Sequence, residues 1–170
     1  PDPETVEKAA ALIREAKNPM IMLGSGAIGA EAEVAELARL LQAPVTAHRS
    51  GKGVLPDDDP LALLPPAAWH YWQTCDLLIG IGSRLELQYF RWRWMPEGLK
   101  VVRVDIDPTE MVRLKPDVGM VTDSAAGIQA LIDELKGLLA RSSREAELAK
   151  LKEDAVEALS SVQPQEGYLR

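Results

Sequence analysis

The sequence is poor in the residues that staple or metal-anchor small proteins: it has one cysteine, Cys75, and two histidines, His48 and His70. A lone cysteine excludes a disulfide framework, and one Cys with two His cannot build a zinc site of the common Cys/His kind. No apolar run approaches the roughly 18 residues that a membrane span needs, and no signal-peptide pattern opens the chain. A basic block is missing too. Nineteen Lys and Arg stand against 26 Asp and Glu, a net charge of -7, which argues against nucleic acid as a partner. The expectation is a soluble cytoplasmic protein that binds neither membrane nor nucleic acid. With 170 residues, 46% of them apolar, the chain is long enough to bury a core unaided. It opens on Pro1 instead of Met, and Ser161 to Arg170, with Pro164 and Gly167, reaches no obvious domain end, as in a segment cut from a longer polypeptide.

Short apolar runs alternate with stretches of helical spacing, the mark of parallel strands joined by helices. The expected strands are Met20 to Leu23, Pro44 to Ala47, Leu77 to Ile81, Val101 to Ile106 and Val118 to Val121. They are apolar on both faces, as strands between two helix layers must be. A first helix follows Asp2 as cap and Pro3 in the first turn, with Val6, Ala9, Ala10 and Ile13 inward. Val34, Leu37, Ala38 and Leu41 repeat the pattern, a third helix runs from about Ser124 to Leu139, and Asp107-Pro108 opens a short one. The fold class is α/β, a doubly wound, mostly parallel sheet of five or six strands. Beyond Arg141 a charged helix with a narrow stripe of Leu148, Leu151, Ala155 and Leu159 reads as a connector that covers this domain or docks on a neighbour.

Gly24-Ser25-Gly26-Ala27-Ile28-Gly29 follows the first strand and precedes a helix, matching the GxGxxG spacing that lets a backbone approach a pyrophosphate. The alternative is a tight strand-to-helix turn. The acidic residue that a nicotinamide enzyme places after the second strand is absent from Val45-Thr46-Ala47-His48-Arg49, although Arg49 leaves an NADP reading open. Ser50-Gly51-Lys52-Gly53 lacks the first Gly and final Ser or Thr of a P-loop, but gives a small-residue turn at a strand end. Gly82-Ser83-Arg84 and Asp105-Ile106-Asp107 end the third and fourth strands. Together these ends suit a nucleotide, with Arg84 for phosphate and Asp105 or Asp123 for ribose or adenine donors. Asp107 reads more simply as a helix cap, His48 as a surface or packing histidine, Cys75 as a small buried filler and Asp57-Asp58-Asp59 as a solvated loop. Two aromatic groups, Trp69 to Trp72 and Tyr89 to Trp94, either pack in the domain's own core or form a patch that neighbouring domains or subunits cover, and the second is the favoured expectation.

Ala16-Lys17-Asn18-Pro19, the Gly24 to Gly26 turn, Pro44-Val45, Gly51-Lys52-Gly53, Asp76 with its strand, Gly82-Ser83-Arg84, Val104 to Pro108 and Thr122-Asp123 occur in a telling order. Over about Pro3 to Leu139 this succession resembles the central domain of thiamine-diphosphate-dependent enzymes, closest to the acetolactate synthase and 2-oxo acid decarboxylase group. The resemblance implies a Rossmann-like, DHS-like nucleotide-binding domain over 1–140, then a connector over 141–170 leading into a pyrophosphate-binding domain. It also implies flanking thiamine-diphosphate-binding domains in the same polypeptide, a homo-oligomeric parent, and FAD in a structural role in the synthase branch. The activating glutamate and the magnesium-holding Gly-Asp-Gly motif belong to those other domains, so the segment itself is expected to be inactive, with no catalytic or metal-binding residues of its own. The expected nucleotide-binding residues are Gly24, Ser25, Gly26, His48, Arg49, Gly51, Gly82, Ser83, Arg84, Asp105, Ile106 and Asp123. Leu63 to Ala68 departs from the synthases' Gly-Met-His-Gly, and Leu85 to Tyr89 lacks their second arginine. A crevice holding FAD or ADP and a spacer holding neither therefore both stay open.

Overall fold

The computed structural model describes residues 1–113 and 115–161, except the side chains of 88–90 and 113. Helix α1 (Pro3–Glu15) starts as its sequence dictates: the Asp2 carboxylate accepts from the Thr5 N–H at 3.0 Å, occupying a helix-start donor that would otherwise lack a partner. Strand β1 (Pro19–Leu23) follows, then α2 (Glu31–Leu41), β2 (Val45–Ala47), α3 (Pro65–Trp72) and β3 (Leu77–Ile81). Next come β4 (Lys100–Asp105), a single turn α4 (Glu110–Arg113), β5 (Val118–Val121), α5 (Ser124–Leu135) and α6 (Glu145–Ser160).

Five strands pair in the order β2-β1-β3-β4-β5, every pair parallel. β1 and β3 are buried along their whole length, which is why they read as continuous apolar runs. Winding proceeds from β1 outward to β2, then returns past β1 to β3. Right-handed crossovers on the two sides of that reversal place their helices on opposite faces, so the sheet is doubly wound. α5 packs between α1 and α2, while α3 packs with α6.

One expectation is corrected, and one open alternative is decided. Trp69 to Trp72 belongs to helix α3, and Tyr71 and Trp72 are core residues, with Trp72 wholly buried and its Nε1 donating to the Trp94 carbonyl at 2.8 Å. The indole N–H finds a partner inside the fold, so burying this ring leaves no unsatisfied donor. Trp69 and Trp92 rest half-buried against this core, and Trp94 is exposed. The side chains of Tyr89 and Phe90 lie outside the described residues, as does 162–170.

The charged helix α6 packs on its own domain. Leu148 is wholly buried and Ala155 nearly so, while Leu159 points outward. The preceding segment is tied back by polar contacts: Arg141 Nη2 donates to the carbonyls of Ile13 and Ala16, each at 2.8 Å. Arg144 Nη1 donates to Tyr71 Oη at 2.7 Å, and its guanidinium lies 5.8 Å from the Tyr71 ring centroid. Leu148→Ala is therefore expected to destabilise the whole domain by about 2 to 5 kcal/mol, the range for emptying a buried leucine site. Urea unfolding followed by Trp emission checks this; an unchanged midpoint would mean that α6 is not part of the cooperative core. Burial pushes the Cys75 thiol up to about 12, so a thiol reagent near pH 8 should label it only as fast as the domain opens.

Candidate functional site

In an open α/β sheet the ligand crevice lies beyond the strand carboxyl ends, where the winding reverses. That point falls between β1 and β3, and the two loops leaving them touch there backbone to backbone. The Gly24 N–H donates to the Ile81 carbonyl and the Gly26 N–H to the Gly82 carbonyl, each at 3.0 Å. A Cβ on Gly24 would stand 2.2 Å from the Gly82 oxygen, and one on Gly26 2.7 Å from the Gly82 Cα. Gly82 also has φ +50, and its own Cβ would meet the Gly26 carbonyl carbon at 2.2 Å. Glycine is thus required three times by one loop-to-loop contact. Ser124 Oγ donates to the Gly26 carbonyl at 2.7 Å and ties α5 into the same junction.

Above this floor opens a cleft of about 390 Å³. Eight of the expected residues line it: Gly24, Ser25, Gly26, His48, Gly82, Ser83, Arg84 and Asp105. Four lie off its wall. Arg49 borders a neighbouring cavity, Gly51 sits under the end of β1, Ile106 is exposed, and Asp123 caps α5 by accepting from the Ala126 N–H at 3.1 Å. Helix α2 begins only at Glu31, after the short 3-10 turn Ser25–Ala27, so its N-terminus is displaced from the cleft.

Several lining residues escaped the sequence reading, among them Leu85 and Glu110. Leu85 is buried with φ +54, a strained conformation for a side chain this large, and Gly80 leaves the space that its methyl groups occupy. Arg103 lies under the cleft in the middle of β4, wholly buried, and donates Nη2 to the Ser83 carbonyl at 2.7 Å and Nη1 to the Glu110 carbonyl. Glu110, only 12% exposed, stands between Arg103 Nη2 at 3.7 Å and Arg84 Nε at 3.3 Å. A lone arginine inside an apolar strand was the available signal, because a buried guanidinium must be paired.

Asp105 Oδ1 accepts from the Asp107 N–H at 3.0 Å, leaving its second oxygen for a hydroxyl or amino donor. Asp107 caps the turn beyond β4, accepting from the Thr109 N–H at 2.9 Å and Oγ1 at 2.7 Å, bonds that hold its carboxyl below the usual carboxylate range. Arg84 is the one arginine or lysine among the described lining residues, against Glu86, Asp105, Asp107 and Glu110. No three His, Cys, Asp or Glu side chains come together as metal ligands would among the described residues, and no helix there is long and apolar enough to cross a membrane.

Residues 6–131 match the family model described as thiamine pyrophosphate enzyme, central domain. The chain belongs to that family. This central domain is 35% identical over 151 residues to a probable acetolactate synthase large subunit of Methanocaldococcus jannaschii, covering 80% of this chain and 25% of that protein. It is 32% identical over 139 residues to a glyoxylate carboligase of Escherichia coli, covering 75% and 23%. A 2-hydroxyacyl-CoA lyase of Oryza sativa is 33% identical over 140 residues, covering 78% and 24%. The chain thus spans about a quarter of the length of the curated relatives it matches. An NADP-dependent oxidoreductase domain is set aside by this membership.

The floor of the cleft makes a direct prediction. Gly82→Ala should cost about 1 to 3 kcal/mol from overpacking alone, with a further ~1 kcal/mol for the left-handed backbone. Gly98→Ala, at φ +73 with nothing near its Cβ, should cost only the backbone part. Equal losses in the two variants, measured by denaturant unfolding, would show that the β1 and β3 loops have room to separate.

Proposed function

We propose that this central domain comes from a thiamine-diphosphate-dependent carboligase or decarboxylase of the acetolactate synthase kind, and that its cleft holds the ADP part of a nucleotide, ADP itself or FAD, in a structural role. One observation carries the reading: Arg84, Asp105 and the side-chain-free Gly24, Gly26 and Gly82 meet around a single cleft at the sheet's switch point. Its volume of about 390 Å³ lies in the range of roughly 300 to 1,000 Å³ usual for small-molecule sites.

The donor set fits a ribose and an adenine amino group well, since the carboxylate of Asp105 can only accept. It fits a diphosphate through Arg84 and the nearby hydroxyls of Ser25, Ser50 and Ser83, with Arg84 turning from Glu110 to the phosphate. Glu110 then keeps its contact with buried Arg103, so releasing Arg84 strands no charge. The surrounding carboxylates disfavour a bare anion and favour a ligand that brings hydrogen-bond donors with its charge.

Thiamine diphosphate, when bound by the whole enzyme, supplies carbanion stabilisation. Within this chain the residues position a ligand and shape one wall; the acid-base and metal-holding groups are assigned to flanking domains of the same polypeptide. The 170-residue chain alone is accordingly proposed to be inactive, and its parent a homo-oligomer that also uses magnesium.

Titration calorimetry with ADP and FAD tests the cleft. Arg84→Ala should weaken ADP binding by about 1.5 kcal/mol, the low end for a charged hydrogen bond, because the guanidinium is 64% exposed and must leave Glu110. Stability should change by less than about 1 kcal/mol, as for exposed ion pairs. Equal ADP affinity in both proteins would misplace the diphosphate, and no affinity in either would favour the spacer reading.

A further inference from the structure

Strand β3 reads Leu77-Leu78-Ile79-Gly80-Ile81, and the glycine inside it is out of keeping with its neighbours. A glycine within a strand gives up side-chain packing and marks a place where another group comes close. Here that group is Leu85. A Cβ on Gly80 would meet the Leu85 Cδ2 at 2.8 Å and its Cδ1 and Cγ at 3.2 Å, and these are the three nearest atoms. The leucine, wholly buried and at φ +54, thus fills the space that a side chain at 80 would have used. Each half of the pairing is unfavourable by itself: a strand position without a side chain, and a left-handed backbone at a leucine. A valine at 80 would fill the hole from β3 with neither cost. Core packing alone does not account for the arrangement.

What the arrangement adds is a tether on the loop after β3. Gly80 is the register partner of Arg103, so the two positions face the same side of the sheet. Arg103 Nη2 donates to the Ser83 carbonyl at 2.7 Å, and the Leu85 N–H donates to Ser83 Oγ at 3.2 Å. Ser83 and Leu85, the neighbours of Arg84 on either side, are therefore both held and both buried. Arg84 between them has a side chain 64% exposed, with Nε 3.3 Å from Glu110 Oε1. The loop fixes the root of the arginine and leaves its head to turn.

We propose that Leu85 is a positioning residue for the cleft: seated over Gly80, it holds the Arg84 backbone where the guanidinium can turn from Glu110 to a ligand's phosphate. Strain is kept at a residue when the structure around it over-determines its conformation, and such residues gather at ligand clamps. Leu85 acts through Arg84. The inference rests on the reading that ADP occupies the cleft with its diphosphate at Arg84.

The test moves the filler from the loop to the strand in the full chain. The double variant Gly80→Val, Leu85→Gly fills the hole from β3 and relieves the backbone at 85, whereas Leu85→Ala empties the site and keeps the strain. The double variant should therefore melt above Leu85→Ala. Both should bind ADP about fivefold more weakly than wild type in titration calorimetry, part of the roughly tenfold that losing the Arg84 hydrogen bond itself brings. Adenosine, which has no phosphate, should bind both as it binds wild type. In the Arg84→Ala background, Leu85→Ala should weaken ADP no further. Exchange of the 83–86 amides in the ligand-free protein should quicken in the double variant. Wild-type ADP affinity in the double variant, an equal loss of adenosine affinity, or a full effect of Leu85→Ala without Arg84 would each overturn the positioning role while the Arg84→Ala loss still stood. Absence of ADP binding to wild type would overturn it together with the reading of the cleft.

Discussion

The contact between the loops leaving β1 and β3 is the constraint on which the site depends. Gly24 and Gly26 meet Gly82 so closely that no β-carbon fits at any of the three, and their N–H groups are used on the β3 end. A glycine fingerprint is usually explained by room for a phosphate. Here its first task is to let two strand ends close over the core, and the cleft is what remains above the closure. The turn at Gly82, with φ +50, directs Ser83 and Arg84 to the cleft, and strained Leu85 seals the wall beside them.

Charge organises what the glycines shape. Arg103 under the cleft and Arg84 within it share the carboxylate of Glu110, so one side chain fixes the floor and restrains the arginine that lines the cleft. Because Arg103 also donates to the Ser83 and Glu110 carbonyls, it ties the β3 loop, β4 and the α4 turn together. The charged lining of the first cleft is mostly carboxylate, while the cavity beyond His48 presents only bases among its described charged side chains. His48 borders both cavities, whose described charged linings differ in sign.

The sheet was legible because a strand buried on both faces must be apolar throughout: Leu77–Ile81 lies where its run placed it, and Val118–Val121, a partly exposed edge strand, still kept enough apolar residues to be found. Asp2 and Asp123 were legible as residue types, but Asp123 was assigned to a ligand when its carboxylate caps α5. An aspartate before a helix carries both signals, and only the direction of the side chain separates them. Helix α3 was missed although Pro65 and Pro66 stand at its start, since eight residues of mostly apolar character show no clear polar face. Glu110 could not be found from spacing at all. Its importance comes from lying between Arg84 of the β3 loop and Arg103 inside β4, and such a meeting exists only once the sheet has formed.

The β1 and β3 loops are proposed to form one ligand-bearing junction. Amide hydrogen exchange with and without ADP tests this most directly, because it reports protection segment by segment. ADP is expected to slow exchange together over 24–28 and 83–86 and to leave 91–92 unchanged. Protection confined to 91–92, or no change at either loop at saturating ADP, would contradict it.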